Sequence, residues 1–292
     1  MITFNPMKKI CLLLAVTLIG LSATAQKKLT APQIGIVQKM ENDSLLQAMG
    51  YKYLLESTRT VLSPQNVTDE QFRALLPTIK KLDVPLYGCN LFIPGDLKVV
   101  GPAVDEQAVL KYVEKVLQRA QKTGLTLITW GSGGSRSVPE GFSRLTATAQ
   151  FIYMAKRVAE VAAKYDVILA LENLNSTECN FITTLGEALA VVKAVDHPNL
   201  RLCVDVYHML KENELPSAIA GSKGYAVYCE VAEREARTPP GVQGDDFTPY
   251  IAALKKEGYT GNIVIEARWD NLSEQGAEAY QTLRQQIDSV YK

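Results

Sequence analysis

From residue 34 onward the chain switches eight times between a short apolar run and a longer polar or amphipathic stretch, and this rhythm restricts the available folds more than any single residue does. The runs are IGIV (34–37), YKYLLE (51–56), VPLYGCNLF (84–92), TLITWG (126–131), VILALE (167–172), RLCVD (201–205), YAVYCE (225–230) and NIVIE (262–266). Short, rich in Val, Ile, Leu and Tyr, they read as buried strands. The stretches between them, such as DEQAVLKYVEKVLQRAQKTG and TATAQFIYMAKRVAEVAAKYD, repeat apolar residues at helical spacing. TTLGEALAVVKAVDHPN opens on a Thr cap and stops near a proline. The sixth connection, KENELPSAIAGSKG, is the weakest helix candidate. Each strand but the last is followed by a helix or by a loop large enough for one. Strands joined through helices pair in parallel. The expectation is an α/β protein, a single-domain (β/α)8 barrel, whose usual size of about 250 residues suits this chain. The rival, an open doubly wound sheet, calls for a Gly-rich phosphate turn after its first strand, and IGIVQKMEND has none.

In the C-terminal half, four successive runs end on an acid: Glu172, Asp205, Glu230 and Glu266. Barrel active sites lie at the C-terminal ends of the strands, so these acids are expected to converge on one mouth from strands five to eight. Four carboxylates in a low-dielectric site repel one another unless protons or a cation compensate. A divalent metal does so most economically, and all-oxygen ligation favours Mn²⁺ or Mg²⁺, with Co²⁺ a further candidate. The bland alternative pairs each acid with a lysine or arginine. That serves for one acid and becomes strained for four. Glu178 follows Glu172 by six positions in the loop of the same rim, and His208 follows Asp205 by three. The chain has only two histidines; the other, His197, sits in the turn DHPN.

Two features bear on the compartment. Lys8 and Lys9 precede the apolar run ICLLLAVTLIGLSA, and ATA before Gln26 gives a small-x-small cleavage pattern. Residues 1–25 are therefore expected to be a signal peptide, with 26–292 as the barrel domain and the mature protein exported to the periplasm or secreted. The apolar run is short for a membrane anchor, Cys11 lacks a lipoprotein context, and no later stretch suits a span. Cys89, Cys179, Cys203 and Cys229 follow neither a zinc-knuckle nor a CxxC pattern. Acids and bases balance at 31 each, and no basic stripe points toward nucleic acid.

The stretches ALENLNSTECNFITTLGEAL, LRLCVDVYHM and VAEREARTPPGVQGDDFTPYIAALKKEGYTGNIVIEARW resemble the sugar isomerase/epimerase family of xylose isomerase-like TIM barrels, in particular the D-tagatose/D-psicose 3-epimerases. The likeness covers residues 167–270 well; the first half agrees mainly in strand order and in CNLFIPG. It implies a metal held by Glu172, Asp205, the strand-seven position and Glu266, with Glu172 and Glu266 also acting as acid and base on opposite faces of a sugar. It further implies that Glu178 and His208 hold substrate hydroxyls. The arginine after strand seven is matched by Arg237 only approximately, because the loop carries an extra residue. At the strand-seven position itself the family has a histidine and this chain has Glu230. That exchange adds one negative charge, so one acid is expected to have a raised pKa or a cationic neighbour such as an arginine of this loop.

Three function classes follow. The leading one is a metal-dependent isomerase or epimerase that removes a proton beside a sugar carbonyl through an enediolate. A lyase or eliminase acting on an oxidised sugar or glycoside would begin in the same way. A carbohydrate-binding barrel without catalysis is the third. An apurinic endonuclease would need a histidine-rich multi-zinc site, which two histidines cannot supply.

Overall fold

The computed structural model describes residue 1 and residues 29–292, so the leader read over 1–25 lies, apart from its first residue, outside the described residues. The elements run β1 (Ile34–Val37), α1 (Asp43–Met49), β2 (Tyr53–Ser57), α2 (Thr58–Val61), α3 (Asp69–Ile79), β3 (Leu86–Asn90), α4 (Glu106–Thr123) and β4 (Leu127–Trp130). They continue α5 (Gly133–Arg136), α6 (Arg144–Ala163), β5 (Ile168–Glu172), α7 (Leu185–Val195), β6 (Leu200–Asp205), α8 (Val206–Lys211), β7 (Ala226–Val231), α9 (Thr248–Lys256), β8 (Asn262–Ile265) and α10 (Leu272–Tyr291). The eight strands pair in sequence order, all parallel, and β8 closes on β1. This is the (β/α)8 barrel.

Alternation along each strand divides the core in two. One set of side chains, Leu55, Leu127, Ala170, Cys203, Tyr228 and Val264, fills the barrel interior. The other, including Leu54, Ile128, Leu169, Leu171, Leu202, Cys229 and Ile263, packs outward against the helices. In β7, Tyr228 therefore faces in and Cys229 out, which turns Glu230 toward the mouth. A register irregularity between Leu202 and Cys203 brings Asp205 level with Glu230.

The helices start where the sequence supplies caps. Thr68 and Gln71 form a reciprocal capping box on α3, and Asp105, Ser143 and Thr184 each accept a backbone N–H at the starts of α4, α6 and α7. The weak sixth connection resolves into the two-turn α8 and a 3₁₀ turn over Pro216–Ile219. After β8, which the sequence rhythm left without a visible partner, α10 buries Ala279, Leu283, Ile287 and Tyr291 at four-residue intervals. No helix among the described residues is long and apolar enough to cross a membrane.

Candidate active site

Each strand-end acid reaches the mouth by a different local device. Glu172 closes β5, and the wholly buried Arg136 pins the backbone beneath it by donating to Glu172 O (2.8 Å), Trp130 O (3.1 Å) and Ile182 O (3.3 Å). Asp205 ends β6 and caps α8: its Oδ1 accepts the His208 N–H at 2.9 Å. Its Oδ2 is buried with no hydrogen-bond partner. Glu230 is buried, with the Tyr228 hydroxyl donating to Oε1 at 2.9 Å and the Cys203 thiol 3.5 Å from Oε2. Glu266 follows β8; Asn90 donates to its Oε1 at 2.6 Å and Arg237 pairs with its Oε2. One oxygen from each of the four lies within 4.8 Å of the others.

Such crowding must show in proton affinity. Burial, then the Glu266 charge, pushes Glu172 up to about 8. Burial and the Glu172 charge push Asp205 up to about 7, against a lowering pull from His208. Burial, followed by the charges of Glu266, Glu172 and Asp205, holds Glu230 well above the usual carboxylate range. Burial alone would lower the Arg237 pKa, but Glu266, Asp205, Glu172 and Glu178 together outweigh it and raise it. Without a cation, therefore, the cluster retains protons that a divalent ion would displace. An unpartnered buried Oδ2 and convergent carboxylates that burial leaves under-ionised make a donor set that fits a hard divalent cation.

Glu178, His208 and Arg237 join the same pocket, a cavity of about 240 Å³ also lined by Arg59, Asn90, Leu174 and a glycine-rich edge at 131–134. Arg237 spans it: Nη1 lies 3.6 Å from Glu178 Oε1, Nη2 lies 3.9 Å from Asp205 Oδ2, and the guanidinium stacks 4.5 Å over the Tyr207 ring. Its approximate place in the loop is made good by backbone strain. Ala236 and Arg237 both adopt left-handed conformations, φ 55° and 56°, a state that costs about 1–2 kcal/mol per non-glycine residue. The buried Glu233 holds that loop, accepting from the N–H groups of Gly241 (2.8 Å), Gly244 (2.9 Å) and Gln243 and from the Thr238 hydroxyl (2.9 Å). His208 is not on the rim as a surface group. It is fully buried, with Nδ1 2.8 Å from Asn175 Nδ2 and Nε2 3.2 Å from Glu172 Oε1. Glu172, Asp205 and His208 thus form a second potential donor set overlapping the first.

Sequence reading missed Asn90, Arg136, Asn175 and Glu233. Only Asn90 had a usable signal, as the one amide within the third apolar run. It also passed over a fifth strand-end acid, Glu56, which stays outside the cluster and accepts from Met40 N (3.0 Å), Ser57 N (2.9 Å) and Thr60 Oγ1 (3.0 Å).

A family model described as xylose isomerase-like TIM barrel matches residues 44–289. The chain belongs to that family. Among its relatives, the ketose 3-epimerase of Arthrobacter globiformis is 32% identical over 112 residues, which span 38% of this chain and 38% of that protein. The 3-dehydro-D-guloside 4-epimerase of Escherichia coli (strain K12) is 27% identical over 190 residues, 62% of this chain and 71% of that one. The crystal structure of the Methylomonas sp. D-allulose 3-epimerase in complex with D-allulose superposes with a TM-score of 0.73 at 18% identity, covering 88% of this chain and 98% of the other. At that identity the superposition speaks to the fold alone. Where the resemblance set out above implies a strand-seven histidine, this xylose isomerase-like barrel turns the carboxylate of Glu230 toward its three partners.

Proposed function

We propose that the protein is an exported, divalent-metal-dependent epimerase or isomerase of ketoses or oxidised glycosides, acting by proton transfer beside a carbonyl. The observation that carries this reading is the convergence of Glu172, Asp205, Glu230 and Glu266 on one point in the barrel mouth. The relatives named as a ketose 3-epimerase and a 3-dehydro-D-guloside 4-epimerase support the substrate class, and the leader-like pattern within residues 1–25 supports export.

Asp205 and Glu230 are the most deeply buried of the four acids and would serve as ligands only. Glu172 and Glu266 would be ligands as well, and reach the pocket from β5 and from the end of β8. A cation of the Mn²⁺ or Mg²⁺ kind held there would supply the positive charge that polarises a substrate carbonyl and the adjacent hydroxyl. One glutamate takes the proton from the carbon next to that carbonyl, and the other returns one to the opposite face. Arg237, paired with Glu266 and Glu178, fixes the orientation of Glu266. Asn90 holds the other oxygen of the same carboxylate. Glu178, His208 and Arg237 present their polar atoms to the sugar hydroxyls.

Solvent exchange tests this directly. Mn²⁺-loaded protein in D₂O, given ketohexoses and 3-keto-glycosides, should wash deuterium into the position beside the carbonyl, followed by proton NMR. Glu172→Gln should abolish the exchange. A protein that binds Mn²⁺ yet exchanges no member of the panel would overturn the proposal.

A further inference from the structure

We infer that Asn175 is a positioning residue that locks His208 into the tautomer protonated on Nε2, which makes His208 a hydrogen-bond donor to the pocket and removes it from the candidate metal ligands. The Thr177 backbone N–H donates to Asn175 Oδ1 at 3.0 Å, and the Thr177 hydroxyl donates to the same oxygen. A backbone N–H can only donate, so the amide oxygen must face Thr177 and the amide nitrogen must face the other way. On that side lie the Glu178 Oε1 at 3.1 Å and the His208 Nδ1 at 2.8 Å. Turning the amide over would set two acceptors, its oxygen and the Glu178 carboxylate, against each other and two donors together at Thr177. The orientation is therefore fixed by its surroundings rather than free to flip.

The consequence passes to the ring. Asn175 Nδ2 offers hydrogens only, so Nδ1 of His208 must offer its lone pair, and the neutral ring carries its proton on Nε2. Both residues are wholly buried, so water does not compete for either contact. Nε2 lies 3.2 Å from Glu172 Oε1 and 3.7 Å from Asp205 Oδ2. It is aligned with neither and has no hydrogen-bond partner, although it lines the pocket. A buried donor without an acceptor is costly unless a ligand supplies one. The oxygen it awaits is that of a bound molecule seated between Glu172 and Asp205.

The two overlapping donor sets are thereby told apart. A metal ligand must offer a lone pair, and the only one on His208 is already taken by Asn175. The cation is left to Glu172, Asp205, Glu230 and Glu266, and Glu230 becomes the required fourth ligand. The tautomer stands on the hydrogen bonds alone; only the identification of the acceptor as a sugar oxygen rests on the proposed function.

The test is histidine ¹⁵N NMR on metal-free protein at about pH 8, where an ordinary imidazole is neutral. Because the chain has two histidines, His197→Gln leaves His208 as the single signal, and His208→Gln in a parallel sample identifies it by loss. The expected spectrum has a lone-pair nitrogen at Nδ1 and a proton-bearing Nε2. Asn175→Asp replaces the two N–H donors by acceptors and should move the proton to Nδ1. Its Co²⁺ affinity by calorimetry should then rise, because Nε2 is freed as a ligand. A wild-type spectrum with the proton on Nδ1 would overturn the inference whatever the variants do, as would an Asn175→Asp spectrum unchanged from wild type.

Discussion

Gly131 offers a perturbation whose size can be read from the geometry. It follows β4 beside Glu172, and a Cβ placed on it would lie 2.2 Å from Glu172 Oε2 and 3.1 Å from Cδ. Real Cβ contacts essentially never fall below 3.0 Å, so in Gly131→Ala the carboxylate must retreat by most of an ångström. The glycine's φ lies outside the left-handed range, so alanine meets no backbone penalty and the whole effect falls on Glu172. A misplacement of about 1 Å in a reacting group lowers turnover by on the order of 10²-fold. Changes to groups that orient a metal ligand lower metal affinity by roughly 10–100-fold. The crowding should destabilise the fold by no more than about 1–3 kcal/mol, which in a domain of this size moves the melting temperature by about 2–4 °C per kcal/mol. A panel substrate measures the first loss, Mn²⁺ calorimetry the second, and thermal melting of the metal-free protein the third. Gly131→Ala protein that binds Mn²⁺ within about twofold of wild type and turns over normally would refute the claim that Glu172 works from its observed position.

Glu172→Gln and Glu266→Gln should each lower kcat by about 10²–10⁴-fold, since an amide cannot carry the proton, while both variants remain folded by circular dichroism; a wild-type rate in either sinks the mechanism. The pH dependence of metal stabilisation has a definite sign. Glu172 and Asp205 are raised to about 8 and about 7 in the metal-free fold, so each stabilises it fully below its ordinary carboxylate pKa and loses that contribution as pH climbs through the raised value. The metal-free stability should accordingly decline between about pH 4 and 8, by up to about 1.4 kcal/mol per pH unit for each proton, and the melting temperature with it. Saturating Mn²⁺ replaces those protons, so its gain in melting temperature should grow from about pH 5 to about pH 8; scanning fluorimetry finding a constant or shrinking gain would contradict this. Glu230→His removes one charge and offers imidazole, so the ratio of Co²⁺ to Mg²⁺ affinity should rise by about tenfold or more, about 1.4 kcal/mol. An unchanged ratio by calorimetry would place Glu230 outside the coordination sphere.

The barrel was legible because its strands are buried on both faces and so read as continuous apolar runs, separated by segments long enough for crossovers. The helix after β8 was not, because its buried stripe of Ala279, Leu283, Ile287 and Tyr291 is interleaved with Gln, Asp and Glu and lowers the local contrast. The acids at strand ends marked the site, yet the same pattern includes Glu56. Its carboxylate is consumed by the N–H of Met40 and the donors of Ser57 and Thr60, a local arrangement that strand position alone does not reveal. Asn175 and Arg136 act through contacts with segments 33 and 36 residues away. Glu233 shapes a loop through main-chain donors that carry no side-chain signature. Periodicity reports which face a residue takes, and says nothing of partners brought together by closure of the barrel.

The central claim is that four carboxylates, and no histidine, hold a divalent cation in the barrel mouth. A crystal of the Mn²⁺-soaked protein, measured at the manganese absorption edge, addresses it most directly. The account predicts one anomalous peak in contact with Glu172, Asp205, Glu230 and Glu266, with His208 Nε2 turned to a water or sugar oxygen instead. A peak coordinated by His208 Nε2, with Glu230 left on its Tyr228 hydrogen bond outside the coordination sphere, would contradict it.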